Sequence, residues 1–218
     1  MTGERKQFIT SAEQAYEIIC AKIISGELKP GEKLTRRQMA SVTGLSVIPV
    51  IEALHRLEGE GLVISEPHFG SRVIDLDEKM IIDRFALRMA IECQVIRNLT
   101  IKHNPRDIEQ LRMLAKNLDL YKRDEDDQDE FWKYHFDFHI KLAQLSRVDS
   151  FVAELKRLNL FDILRRTIVT YTKVKGKEVP ERHHEKLIEA IESGDRELAE
   201  ATMREHINFS GLVREEQF

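Results

Sequence analysis

The sequence predicts a mainly α-helical chain in two parts: a small N-terminal winged unit over residues 1–76 and an all-α bundle of about six helices over 77–218. Three observations carry this. Gly and Pro punctuate the chain up to about residue 75, in "SGELKPGEKL", "TGLS", "EGEG" and "EPHFGSR", and long amphipathic stretches with few breakers follow. β-Branched residues flank a Pro/Gly turn once, in "LVISEPHFGSRVID". The totals, 42% hydrophobic and 33% charged over 218 residues, suit a helix-rich globular chain.

In the first unit, Ser11 and Gln14 make a capping box, and Ala15, Ile18, Ile19, Lys22 and Ile23 follow at helical spacing. Gly26 is a stop signal. "TRRQMASVTG" predicts a short second helix ended by Gly44, and "SVIPVIEALHRLEGEG" a third capped by Ser46. Pro49 falls in the first turn of that helix, where a missing N–H costs little. Val50, Leu54 and Leu57 face the core at i, i+4 and i+7. Two helices joined by a tight turn and followed by a hairpin outline a winged helix-turn-helix, although the same pieces also make a generic small α+β domain. The second unit divides at Asn104-Pro105, "DEDDQD", "RVDS", "KVKGKEVP" and "SGD" into helices near 77–103, 105–122, 127–146, 149–174, 178–193 and 195–213.

The totals also exclude. Mean hydropathy is −0.39 and no apolar run approaches the roughly 20 residues that a membrane helix needs. "MTGERKQFIT" has no apolar signal core, so a cytoplasmic protein is expected. Cys20 and Cys93 fit no zinc or redox spacing and read as reduced, buried small residues. A net charge of −4 does not announce a nucleic-acid binder.

The ordered motifs nevertheless resemble a known family. In "SVIPVIEALHRLEGEGLV", Pro49, Val50, Glu52, Ala53, Leu54, Leu57, Gly61 and Leu62 match the helix-turn-helix core of GntR-type transcription regulators, as do "ISGELKPGEKL" and the spacing of Pro67, Gly70 and Val73. Arg88 with Glu92, Phe138 with His139, the run from His184 to Asp195, and His206 resemble the all-helical FCD effector domain. About six effector helices look nearer the VanR-type branch than the seven-helix FadR type. The resemblance implies a homodimer that binds an inverted-repeat DNA operator, with no membrane partner and no catalysis.

Departures fall where such proteins read bases. Val47 and Ile51 occupy recognition-helix positions usually held by arginine, and Phe69 that of the wing arginine. Residues 1–76 carry nine Lys/Arg against ten Asp/Glu, so phosphate attraction is not obvious. One reading gives Val47 and Ile51 thymine methyls, with Arg36, Arg37, Arg56, Arg72 and His68 on phosphates or in the minor groove. Ser46, His55 and Gly70 complete the predicted DNA-facing set. The other reading is that DNA binding is weak or lost.

Six of the eight histidines lie in the second unit. His135 and His139, at i and i+4, share a helix face with Phe131, Phe138 and Leu142, whereas Asp137 points away. His184 and His206 are equidistant from the "SGD" turn, so an antiparallel pair of helices brings them to one height. His183 is expected at the periphery. A lone inward histidine is usually a satisfied core residue. Four on three helices cannot all be charged, and a divalent metal would satisfy them together. The resemblance implies the same, since many FCD domains bind a metal through one acid and three histidines. His139, His184 and His206 take the histidine positions, and His135 stands at the acidic one.

An all-nitrogen site suits a divalent transition metal, Zn or Ni first, rather than Mg or Ca. It leaves the metal charge uncompensated, which favours a small carboxylate effector, with Arg88 as a clamp. The bland alternative for Arg88 is an intrahelical pair with Glu92. Three functions fit these residues: a ligand-responsive regulator first, then a metal-stabilised dimeric helical module with degenerate DNA binding, and, distantly, a metalloenzyme. No HExxH-type spacing supports the last.

Overall fold

The computed structural model describes residues 9–66, 70–75, 78–121, 128–158 and 183–208. The chain divides into two compact units, Met1–Asp77 and Glu78–Phe218. Both are built mainly from helices, and the first carries a small sheet.

The N-terminal unit holds α1 (Ser11–Ile24), β1 (Lys33–Leu34), α2 (Arg36–Thr43), α3 (Val47–Gly59), β2 (Val63–Glu66) and β3 (Gly70–Val73). The cap of α1 is Thr10 rather than Ser11: its hydroxyl accepts the Glu13 N–H at 3.1 Å. A Thr-x-x-Glu box starting one residue earlier competes with Ser-x-x-Gln and wins. Helix α1 ends where Gly26 takes φ +78°, and α2 runs from a Thr35 cap to Gly44 at φ +70°. Ser46 sits at the N-cap of α3 without a side-chain bond to it, and Pro49 lies in the first turn as expected.

The sheet has the order β1-β3-β2, antiparallel throughout, with Val63 opposite Val73 and Lys33 opposite Arg72. Strand β1 has only two residues and no periodic signal, so the sequence predicts the hairpin without it. Ala15 and Ile19 of α1, Met39 of α2, Val50 and Leu57 of α3, and Val63 and Val73 of the hairpin close one core. Each fully buried aliphatic side chain there stabilises the unit by roughly 1.5–3 kcal/mol.

The second unit holds six helices among the described residues: α4 (Glu78–Ile101), α5 (Pro105–Leu120), α6 (Gln128–Leu145), α7 (Asp149–Arg157), α8 (Glu185–Glu192) and α9 (Arg196–Asn208). Asn104 caps α5 through its Oδ1, 2.9 Å from the Arg106 N–H, with Pro105 at the first helical position. The expected helix over 149–174 is seen as far as Arg157, and its remainder lies outside the described residues, as do 178–182 and 209–213 of the last two. Helix α4 packs along α9 and also meets α6, α7 and α8, while α5 lies against α6 and α8. Phe85, Ile96, Leu111, Phe138, Leu142, Ile188 and Met203 fill the space between them.

Cys93 is buried, and burial pushes its thiol up to about 12, so it is inert. Cys20 is only partly buried. No helix among the described residues is long and apolar enough to cross a membrane.

Candidate metal centre and DNA-reading surface

Helical spacing and a helix hairpin assemble the four predicted histidines. His135 and His139 project from one face of α6, between Phe131, Phe138 and Leu142, all nearly inaccessible. His206 belongs to the buried stripe of α9 with Ala199 and Met203. His184 stands at the N-cap of α8, one residue before the helix rather than within it. One ligand atom from each of His135, His139, His184 and His206 lies within 4.8 Å of every other, and all four residues are buried. His135 Nδ1 is 2.8 Å from His184 Nε2, and His206 Nε2 is 3.1 Å from His139 Nε2. Nitrogens bound to one tetrahedral zinc at about 2.0–2.1 Å stand roughly 3.3 Å apart, so the cluster has the right scale.

What surrounds the rings decides where their protons sit. Glu92 of α4 accepts from His139 Nδ1, and its other oxygen accepts from Arg88 Nε. Asp119 of α5 accepts from His184 Nδ1 at 2.6 Å. His206 Nδ1 faces the His183 carbonyl at 3.4 Å. The hydrogen-bond network therefore places a proton on Nδ1 of His139, His184 and His206, and their three Nε2 atoms point into one small space. His139 and His206 then meet lone pair to lone pair at 3.1 Å. Protonating the rings is a poor remedy. Burial holds His135 and His206 well below the usual imidazole value, and the neighbouring histidines push them the same way. His139 is lowered too, by burial that outweighs the pull of Glu92. A cation at the centre would take the converging nitrogens as ligands, and Glu92 and Asp119 are outer partners of the kind that metal-bound histidines usually have. The residues present thus fit a divalent metal.

Glu92 is buried, which raises a carboxyl, but the Arg88 charge and then His139 overcome that and hold it at about 2. Arg88 is thus engaged with Glu92 inside the bundle, and the carboxylate it holds is the one that orients His139. The intrahelical pair and the metal site, read separately in the sequence, are one network. Sequence reasoning missed Glu92 and Asp119 as orienting groups. It also placed His183 at the periphery, whereas that ring is buried and stacked on His206 at 4.0 Å between centroids. The turn at 183–184 swings both adjacent rings inward, which the helical wheel assumed for this stretch does not allow.

In the N-terminal unit the predicted DNA-facing residues scatter over α2, α3 and the hairpin. Arg36 and Arg37 are exposed at the start of α2 and form no ion pair with a described residue. Val47 is 40% exposed and Ile48 70%, with Ile51 partly buried beside them. His55 is exposed and lies 3.5 Å from Glu58. Arg72 pairs with Glu66 across the hairpin, and Gly70 takes φ +83° where β3 begins. His68 and Phe69 lie outside the described residues. Arg56 is committed within the unit: it bonds Glu13 at 2.6 Å and Glu60 at 3.3 Å and lies 3.7 Å over the Tyr16 ring. Tyr16 donates to Glu60 at 2.7 Å, and burial and that bond push its phenol above the usual tyrosine value.

A winged helix-turn-helix followed by a separate helical unit defines a class: transcription regulators with a DNA-reading part and a second, helical part. Residues 11–73 match the bacterial regulatory proteins of the gntR family, and residues 83–209 match the FCD domain. The chain belongs to the GntR family of bacterial regulatory proteins and carries an FCD domain.

Among curated relatives, an HTH-type transcriptional regulator in an unstable DNA locus of Streptomyces ambofaciens is 31% identical over 91% of this chain and 82% of its own. The HTH-type transcriptional repressor GlaR of Escherichia coli strain K12 is 28% identical over 91% of this chain and 93% of its own. A GntR transcriptional regulator from Rhodococcus sp. RHA1 superposes with a TM-score of 0.65 at 19% identity, covering 93% of this chain and 99% of that one, which shows a shared fold. The protein is a DNA-binding transcriptional regulator, and its relatives are regulators rather than enzymes.

Proposed function

We propose that the protein is a metal-containing regulator in which His135, His139, His184 and His206 hold one divalent transition metal, zinc or nickel, and a small carboxylate effector completes the site. The observation that carries this reading is the convergence of imidazole lone pairs backed by Glu92, Asp119 and the His183 carbonyl. Four neutral nitrogen donors select a borderline or soft metal over magnesium or calcium. When bound, the metal supplies a positive charge that an anionic effector neutralises. Arg88 stands beside the cluster as a second positive charge, and an effector carboxylate would compete with Glu92 for it.

The N-terminal unit would serve as the DNA-binding domain of a homodimer on an inverted repeat in the cytoplasm, as two-fold symmetry requires. Arg36 and Arg37 would take phosphates. Val47, Ile48 and Ile51 would pack on thymine methyls, and Ser46, His55, Gly70 and Arg72 would flank them. Arg56, already braced by two glutamates, would support the fold rather than DNA.

The effector can regulate only by binding one state of the dimer better than the other. The test is a mobility-shift titration against the protein's own upstream region, at low and then rising salt, with and without hydroxy and sugar acids. Sequence-specific binding that a carboxylate alters supports the reading. No specific complex at low salt contradicts it. For the metal, His135→Ala should lower the metal content of purified protein. An unchanged content removes His135 from the site.

A further inference from the structure

Among the described residues, two carboxylates reach the histidine cluster, and they are built differently. Glu92 sits in the middle of α4, and the Arg88 charge balances it. Asp119 sits near the end of α5, no described Lys or Arg pairs with it, and the side chain it meets is the His184 ring. Its side chain is only 7% exposed. Oδ1 takes the His184 Nδ1–H at 2.6 Å, both oxygens lie 3.0 Å from the His184 backbone N–H, and Oδ2 takes the Glu185 N–H at 2.9 Å. One carboxylate therefore orients an imidazole and caps the helix that begins behind it. His184 has no cap bond from its own side chain to α8, because its ring is turned toward the cluster.

We propose that Asp119 is a positioning residue of the metal centre: it ties ligand His184 to the first turn of α8, so that filling the centre with a divalent metal and ordering the start of α8 are coupled. The proposal rests on the metal reading above. The physical reason is shared use of one anion. The first N–H groups of a helix lack partners within it and need an acceptor, preferably a charged one. A metal-bound imidazole likewise needs an acceptor on its outer nitrogen to hold its tautomer and angle. With a metal held on its Nε2, His184 would be a stronger Nδ1–H donor to Asp119, and the carboxylate would stay where the backbone N–H groups of His184 and Glu185 meet it. Conversely, losing those backbone bonds frees the ring to turn. Glu92 cannot act in this way, since no helix start depends on it.

The experiment is a zinc titration of the full chain against a competing chelator, with amide hydrogen exchange of the His184–Leu187 stretch read with and without zinc. Asp119→Asn should weaken zinc binding roughly 10- to 100-fold, the usual effect of losing an outer-shell partner. It should also shrink the zinc-dependent slowing of exchange at the start of α8. Asn104→Ala removes a helix cap of similar kind from α5, away from the cluster, and should leave zinc affinity within about twofold. An Asp119→Asn protein that binds zinc as the wild type does overturns the proposal. A wild type that binds no zinc overturns the metal reading on which it stands. If the Asn variant fails to fold, nitrogen NMR of the imidazoles in zinc-bound wild type decides alone. A protonated, hydrogen-bonded His184 Nδ1 is expected, and zinc on Nδ1 would contradict the assignment.

Discussion

The two units invert each other's use of polarity. Every buried polar or charged residue among the described ones belongs to the C-terminal unit: Arg88, Glu92, Thr100, His135, His139, His183, His184 and His206. The N-terminal unit buries only apolar groups in its core and turns Val47 and Ile48 of its reading helix outward. Neither arrangement is what folding alone favours. Burying imidazoles costs desolvation, and exposing Ile48 forgoes burial. On the reading proposed above, a cation would complete the one arrangement and an apolar group of another molecule the other.

The sharpest way to break the comparison is to remove the buried anion that makes the polar interior tolerable. Glu92→Ala leaves Arg88 buried without its partner and His139 without its acceptor. Urea unfolding should show a loss of about 3–5 kcal/mol, the cost of breaking a buried ion pair. A loss no larger than that of an exposed pair would mean the network is better solvated than it looks. Removing a ligand acts on binding instead. His139→Ala should weaken zinc binding by roughly a hundredfold or more, beyond the usual loss of an outer partner, as a competing chelator would read. Near-native affinity would assign the metal elsewhere.

Acid should separate the units more gently. His135, His139 and His206 have lowered values in the folded protein, so below about 6.5 the unfolded chain binds more protons than the folded one. Metal-free protein should therefore keep its melting temperature from pH 8 to about 6.5 and lose it progressively below. Glu92 and Asp119, whose values are lowered, add stability that is present above the ordinary carboxyl range and is lost only in stronger acid. A melting temperature that stays flat down to pH 5 would sink this account of the cluster. The smallest expected stability effect is on the other side of the comparison. Ile48→Ser should change stability by no more than about 0.5 kcal/mol, as for most surface substitutions, yet weaken operator binding. Replacing operator thymines by uracil should weaken the wild type in the same way, since only the C5-methyl is lost. Equal binding to both DNAs would remove methyl contacts from the account.

Much of this was legible in the sequence because it repeats with a helical period. His135 and His139 are four apart on an apolar stripe, and His184 and His206 are symmetric about a turn, so helix geometry brings them to one height, although the turn before α8 rather than the helix aims His184. The outer carboxylates are not periodic facts. Asp119 meets His184 across 65 residues and Glu92 meets His139 across 47, contacts that only the packed bundle creates. A trace was present all the same. Asp119 continues the stripe of Ile108, Leu111 and Ala115 on α5, and Glu92 that of Phe85, Met89 and Ile96 on α4. An acid on an apolar stripe asks for a buried partner just as a histidine does. Strand β1 was illegible for a different reason: two residues pair only because β3 offers an edge.

The central claim is that the C-terminal unit buries four imidazoles in order to hold a metal. Thermal unfolding of chelator-stripped protein at pH 7.5, with and without added zinc or nickel, tests it most directly. With free metal about a hundredfold above its dissociation constant, binding adds about 2.7 kcal/mol, a rise on the order of 5 to 10 °C, and one metal ion per chain should survive gel filtration. An unchanged melting temperature with either metal, and no metal retained, would contradict it.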